Sequence, residues 1–464
     1  MKRIILPLIV LLSGCAINKV ALVSYVVASH ETITEFIQSL PPELTFGIVV
    51  YDLNEGQLLY EYNGHKLFTP ASTLKLITAA TALAKLGTDY KFKTYFFKNG
   101  DDIYIKGTGD PLLLSKDVEL AAREIKWYGI DSLRHIFVDE SYFDTIRKGK
   151  GWMWDEGPHP FNPNISALNV NYDLIEVIIK PSDVGNPPRV RLEPPTNFIV
   201  ICNNAVTIDS GETTIEVDRV YEQTVNKLII KGELPQSYGE LRVYRTVDEP
   251  ALYVGYLLKE NLERMGVKVC GSVVYGVTPA EVETLWVHYS PCLSKIVFEL
   301  NKWSSNFIAE HLLKAIGAEL KGVPGTADKG LTVVEEFLEE VGINDYPHKI
   351  VDGSGLSRYN LISPYELVQL LIYIYHQFSY LYEFVASLPI GGIDGTLRNR
   401  FESTPYVVRA KTGTMAGVSG LAGYTITENG HLLAFAMMTQ GYTMPVKEVR
   451  TYQDSLLQII RRIY

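Results

Sequence analysis

The chain has 464 residues, with 43 Lys and Arg against 53 Asp and Glu, a formal net charge of -10, and 47% apolar residues. An acidic chain with no basic block argues against nucleic acid as a partner. The apolar share is that of a globular protein, and the length is too great for one core, so two or three domains are expected.

In chain order, Met1-Lys2-Arg3 is followed by an apolar run from Ile4 to Leu12, broken only by Pro7. A charged start and a short apolar stretch read as a signal peptide. The stretch is too short for a membrane span, which takes about 20 residues. Leu12-Ser13-Gly14-Cys15 has the form of a bacterial lipobox. The expectation is a leader over residues 1–14 and a mature chain that starts at a lipidated Cys15. That chain would lie outside the cytoplasm, held to a bacterial membrane only by its lipid. Removing residues 1–14 deletes Lys2 and Arg3 and no acid, so the charge goes from -10 to -12. Cys202, Cys270 and Cys292 remain, which allows one pair and a free thiol, or no pair. There is no C-x-x-C and no H-E-x-x-H, and no metal or cofactor is expected.

Glu31 to Leu40 reads as a helix stopped by Pro41-Pro42. Phe46 to Asp52 and Gln57 to Tyr62 read as strands around a turn at Asn54-Glu55-Gly56. A helix follows, with Leu76, Ala79, Ala80, Leu83 and Leu86 on one face and Gly87 at its end. From about Tyr95 to Cys270 short β-rich runs alternate with Pro and Gly. They cover Ile103 to Ile105, His135 to Val138, Leu174 to Ile179, Asn197 to Cys202, Thr214 to Val220 and Lys227 to Ile230. Asp248 to Met265 reads as a helix. Further helices are expected at Leu293 to Asn301, Asn306 to Ile316, Leu331 to Val341, Pro364 to Phe378 and Met444 to Ile463. Strands are expected at Ala422 to Thr427 and Leu432 to Thr439. The division is then residues 15–95, an inserted β-rich region over 96–270 in two subdomains, and residues 271–464.

Three stretches carry suitable chemistry. Ser72 and Lys75 stand three apart at a helix start, so their side chains are neighbours. A serine hydroxyl becomes a nucleophile when a nearby base takes its proton. An amine can do this if burial, a cation or the positive end of a helix keeps it neutral, and a first helical turn supplies the last. That turn also aims free backbone N–H groups at whatever the serine attacks. Lys302-Trp-Ser-Ser-Asn306 offers a hydroxyl and an amide two residues apart. Arg409-Ala-Lys-Thr-Gly-Thr414 offers a cation, two hydroxyls and a glycine on a strand edge, where glycine admits a ligand backbone. Each alone has an ordinary explanation. Ser72 or Ser304 could cap a helix, and Lys411 could be a solvated edge lysine.

In this order the three match S-x-x-K, S-x-N and K-T-G. The sequence resembles the class C, low-molecular-mass penicillin-binding proteins, the D-alanyl-D-alanine carboxypeptidase/endopeptidase family, over nearly the whole mature chain. Further marks are Gly107-Thr-Gly-Asp-Pro111, Gly151-Trp-Met-Trp154, Ala309-Glu310, Asp352-Gly-Ser-Gly-Leu-Ser-Arg358 and Gly395-Thr-Leu-Arg398. The resemblance implies an α+β, multi-domain chain. A transpeptidase-like domain, an antiparallel sheet with helices on both faces, would be interrupted by β-rich inserted domains. It implies hydrolysis of D-alanyl-D-alanine in peptidoglycan stem peptides through an acyl-enzyme on Ser72, cleavage of cross-links, and acylation by β-lactams, with no cofactor. Lys75 would be the base and Ser304 the proton relay, with Lys411 holding that network. Asn306 would bind the peptide amide. Thr412 and Thr414, with Gly413 between them, would hold the terminal carboxylate beside Lys411. The backbone N–H groups of Ser72 and Thr414 would form an oxyanion hole, worth about 3–4 kcal/mol per donor.

Ser305 stands where Asp is usual, and its side chain is expected to point away from the nucleophile. Glu156, Phe161 and Arg358 match positions that in some relatives contact the diamino acid of the stem peptide. A surface acid, a core Phe and a surface Arg stay open as their alternatives. Ala416 follows the K-T-G strand where some relatives carry a polar contact. A β-lactamase of class A would need a Glu in E-x-x-L-N, and the nearest segment, Ile165-Ser-Ala-Leu-Asn169, has Ile there. A non-catalytic wall-binding lipoprotein would be expected to have lost Ser72, Lys75 or Asn306, and none is lost.

Overall fold

The computed structural model describes residues 31–220, 226–343 and 347–464. The leader and Cys15 lie outside them. The central sheet has five antiparallel strands in the order Val408–Met415, Val418–Ile426, Leu432–Gln440, Thr45–Asp52 and Gln57–Tyr62. The two ends of the chain therefore build one sheet, and Thr45–Asp52 pairs with Leu432–Gln440 along its whole length. Its inner strands are covered on both faces and so read as continuous apolar runs. On one face lie the terminal helix Val446–Ile463 and the helical turns over 31–38, against Ile48, Val50, Leu421 and Phe435. On the other lie Lys75–Leu86, Leu293–Trp303, Asn306–Lys321, Ala327–Val341 and Pro364–Tyr375, against Val49, Ala422, Ala436 and Met438.

Local chemistry sets the helix ends. Thr326 accepts from the Lys329 N–H, and Ser363 and Glu366 form a reciprocal capping box with Pro364 in the first turn. The terminal helix starts at Val446, two residues after the expected start, because Pro445 precedes it.

A separate core holds a second five-stranded sheet, ordered Val273–Tyr275, Ile136–Asp139, Asp102–Gly107, Lys93–Asn99 and Glu283–Tyr289. Smaller sheets hold the remaining short strands. The helices Ser115–Trp127 and Pro250–Arg264 pack together in this core. Ser115–Trp127 carries Val118, Ala121, Ala122 and Ile125 inward at helical spacing, within a region expected to be β-rich. Glu283–Tyr289 pairs with Lys93–Asn99 past a bulge. The three described cysteines are unpaired. Among the described residues no helix is long and apolar enough to cross a membrane.

Candidate active site

Ser72 lies in a short 3-10 turn, Ala71–Leu74, that leads into the Lys75–Leu86 helix. Ala71 holds a left-handed φ of 46°, unusual for a residue with a Cβ, so the turn is strained. Gly413 explains how the edge strand reaches it. A Cβ there would lie 2.6 Å from the Pro70 carbonyl oxygen and 3.1 Å from the Ser72 nitrogen.

Lys75 is fully buried and its Nζ lies 2.8 Å from Ser72 Oγ, 2.7 Å from Asn306 Oδ1 and 2.6 Å from the Ser354 carbonyl oxygen. Burial lowers its pKa to about 7, against the pull of Asp352 and Glu310, which favour the charged form. A neutral amine gives its two hydrogens to Asn306 and Ser354. Its lone pair then faces the Ser72 hydroxyl.

The second stretch is a break between two helices. Leu293–Trp303 ends on Ser304, held at φ 59°, and Ser305 caps Asn306–Lys321 by accepting from the Ile308 N–H at 3.2 Å. Ser305, not Ser304, is the cap. Ser304 is thereby turned to the cleft, where Lys411 Nζ donates to its Oγ at 2.7 Å and to the Thr412 carbonyl at 2.9 Å. Lys411 is fully buried rather than solvated. Burial first, and the charge of Lys75 second, push its pKa well below the usual lysine range. Thr412 Oγ1 donates to Thr396 Oγ1 at 2.7 Å, while Thr414 is exposed and accepts from Arg450 at 3.0 Å.

Below Lys75 lies a loop whose Asp352 the sequence marked without assigning a role. Asp352 accepts from the N–H groups of Gly355 and Ser357 at 2.8 and 2.7 Å and from Asn360 Nδ2 at 2.8 Å. Buried Glu310 accepts from the N–H groups of Gly353 and Ser354 at 3.0 and 2.9 Å. Burial, then repulsion from Asp352, raise the Glu310 pKa to about 7. Together they aim the Ser354 carbonyl at Lys75. Only long-range packing brings them there. The spacing of Glu310 four residues after Asn306 is the one local signal, since it puts both on one helix face.

Trp152 and Phe161 reach the same place. Trp152 Nε1 donates to Asp352 Oδ2 at 3.0 Å, and the Phe161 carbonyl accepts from Asn306 Nδ2 at 2.7 Å. Phe161 is 46% exposed, not a core residue, and lines a cavity of about 470 Å³ with Tyr172, Trp303, Ser304 and Asn306. Arg358 donates to the Ala416 carbonyl at 2.8 Å, just past the K-T-G strand. Glu156 has a buried oxygen without a hydrogen-bond partner among the described residues. Burial, then Asp155, raise its pKa, and Arg358 draws it back. Ser72, Lys75 and Asn306 thus form one hydrogen-bonded group and Ser304 and Lys411 a second, close enough for the charge of Lys75 to act on Lys411, with Thr412, Gly413 and Thr414 on the strand beside them. Arg358 and Glu156 lie at one margin and Phe161 at another.

Residues 30–463 match the D-Ala-D-Ala carboxypeptidase 3 (S13) family. The chain is 37% identical over 425 residues to a D-alanyl-D-alanine carboxypeptidase of an Actinomadura species, covering 86% of this chain and 78% of the relative. It is 28% identical over 451 residues to a D-alanyl-D-alanine carboxypeptidase of Haemophilus influenzae, covering 93% of each. The crystal structure of penicillin-binding protein 4 of Haemophilus influenzae superposes with a TM-score of 0.83 at 26% identity, covering 93% of this chain and 99% of that one.

Proposed function

The chain belongs to the D-Ala-D-Ala carboxypeptidase 3 (S13) family, and we propose that it works as a serine D-alanyl-D-alanine peptidase through Ser72. Lys75 takes the Ser72 proton as Oγ attacks the carbonyl of the terminal D-alanyl-D-alanine bond. The N–H groups of Ser72 and Thr414 receive the developing oxyanion. The proton that Lys75 took passes by way of the Ser304 hydroxyl, tied to Lys411, to the leaving D-alanine nitrogen, which leaves Ser304 protonated and Lys75 neutral again. Asn306 holds the peptide amide. Water then attacks the acyl-enzyme with Lys75 again as base. Arg358, Glu156 and Phe161 are proposed to face the diamino acid of the stem peptide. Cleavage of cross-links and acylation by β-lactams belong to the same proposal.

The observation that carries this reading is the contact of Ser72 Oγ with a fully buried lysine amine whose pKa lies near neutrality. A fluorescent penicillin is expected to label the purified protein, and Ser72→Ala is expected to abolish labelling. Equal labelling of the Ala variant would show that another residue is the nucleophile. The outside location and the lipid at Cys15 are proposed from the leader sequence alone. Mass spectrometry of protein from its native membrane should find a diacylglyceryl group on Cys15. An unmodified Cys15 would remove the anchor.

A further inference from the structure

Three observations converge on Arg450. It stands in the second turn of the terminal helix Val446–Ile463, and its Nη2 donates to Thr414 Oγ1 at 3.0 Å. Asp454, one turn further on, gives both oxygens to Arg400, at 3.0 and 2.5 Å to one and 3.2 Å to the other. Among the described residues no acid lies within 4.0 Å of the Arg450 guanidinium. Arg450 is half-buried, and burial and Arg400 both disfavour its charge. Asp454 offsets this only at a distance, since its oxygens are held by Arg400, and a half-buried cation beside a second arginine is an arrangement that an anion in direct contact would relieve.

The K-T-G strand shows where that anion sits. Lys411 is committed to Ser304 Oγ and the Thr412 carbonyl, and its burial beside Lys75 disfavours a full charge. Thr412 is buried and turned to Thr396. Thr414 is exposed at the cleft. Because its Oγ1 accepts from Arg450, its own hydroxyl hydrogen is free to be donated onward. The guanidinium has five N–H donors in a planar fork that fits a carboxylate, and one of them is used on Thr414.

We propose that Arg450, acting with Thr414, is the cation that receives the terminal carboxylate of the substrate. This assignment rests on the peptidase reading above. It makes the terminal helix part of the substrate site and divides the labour of the two cations. Lys411 holds the Ser304 hydroxyl inside, and Arg450 meets the charged end of the peptide at the mouth.

The test compares one peptide ending in D-Ala-D-Ala as the free acid with the same peptide as the terminal carboxamide. For Arg450→Gln, kcat/KM on the free acid is expected to fall roughly ten- to a hundredfold, mostly through KM. That is the span of a charge-assisted hydrogen bond. The carboxamide is expected to change less than about twofold, since it never made the contact. Arg450→Lys, which keeps the charge without the fork, should recover part of the loss. An equal fall on both substrates, or no fall on the acid, overturns the assignment. A wild type that hydrolyses neither peptide overturns the peptidase reading instead. The carboxylate assignment is then read from labelling rates with benzylpenicillin and its methyl ester. Arg450→Gln should slow only the acid, and equal slowing or none overturns it.

Discussion

A lysine serves as a base only while it is neutral, and at position 75 the surroundings pull both ways. Burial removes the proton, while Asp352 and Glu310 hold it. Glu310 has two effects on that amine. Its Oε1 fixes the Gly353 and Ser354 N–H groups, so the Ser354 carbonyl stays on Lys75. Its charge favours the ammonium. The groups facing Lys75 are Ser72 on its own turn, Asn306 and Glu310 on one helix, Asp352 and Ser354 on the loop, and Lys411 on the strand. Glu310→Gln keeps an oxygen for both N–H groups and removes the charge. The amine should then lose its proton more readily, so the acid limb of the acylation rate moves to lower pH. The plateau should fall about fivefold or less, the worth of one weakened neutral hydrogen bond of about 1 kcal/mol. A pH profile of labelling by fluorescent penicillin reads both effects. A limb that stays put, or moves to higher pH, would show that the Glu310 charge does not act on Lys75.

Single elements show what the linear sequence displays and what it hides. The Ser304 junction was legible because two helical patterns meet there with a serine pair between them. Ser305 stands where Asp is usual and caps the following helix, a task for which both residue types are suited. The K-T-G strand was legible through its motif, but the missing Cβ of Gly413, read as making room for a ligand backbone, makes room for the chain's own nucleophile turn. The helix Ser115–Trp127 was hidden. Its first turn has no favoured N-cap residue, since Leu114 holds that place, and its apolar positions fall in a region punctuated like short strands. Glu283–Tyr289 was hidden too, because a bulge opposite Phe97 and Phe96 breaks its alternation. The supporting contacts of the site span long stretches of chain. Arg450 meets Thr414 across 36 residues, and Glu310 meets Gly353 and Ser354 across 43 and 44. The loop that Asp352 shapes reaches Lys75 through the Ser354 carbonyl across 279 residues. No periodicity reports such contacts.

At the scale of the whole molecule, the active site works against the stability of the fold, and proton linkage says in which pH range. Lys75 has a folded pKa of about 7 and an ordinary value of 10.5 in the unfolded chain. Below about 7 both states hold the proton, and the folded state carries the full penalty of a buried charge. Between about 7 and 10.5 the unfolded chain binds more protons than the folded one, so stability rises with pH. Above 10.5 the difference is gone. Lys75→Met removes this dependence and also removes hydrogen bonds to Asn306 and the Ser354 carbonyl. Those losses are a constant offset of about 1–3 kcal/mol for each acceptor left unpaired. The offset can take either sign against the lost charge penalty, but the slope cannot. Relative to Lys75→Met, the wild type must gain stability as pH rises from about 7 towards 10.5. Glu310 adds in the same direction, since without Lys75 its pKa rises further and the variant goes on losing stability to higher pH as that buried carboxyl ionises. Denaturant unfolding of both proteins across that range measures the difference. A difference that stays level would mean that Lys75 is an ordinary ammonium in the folded protein, and the base would have to be sought elsewhere.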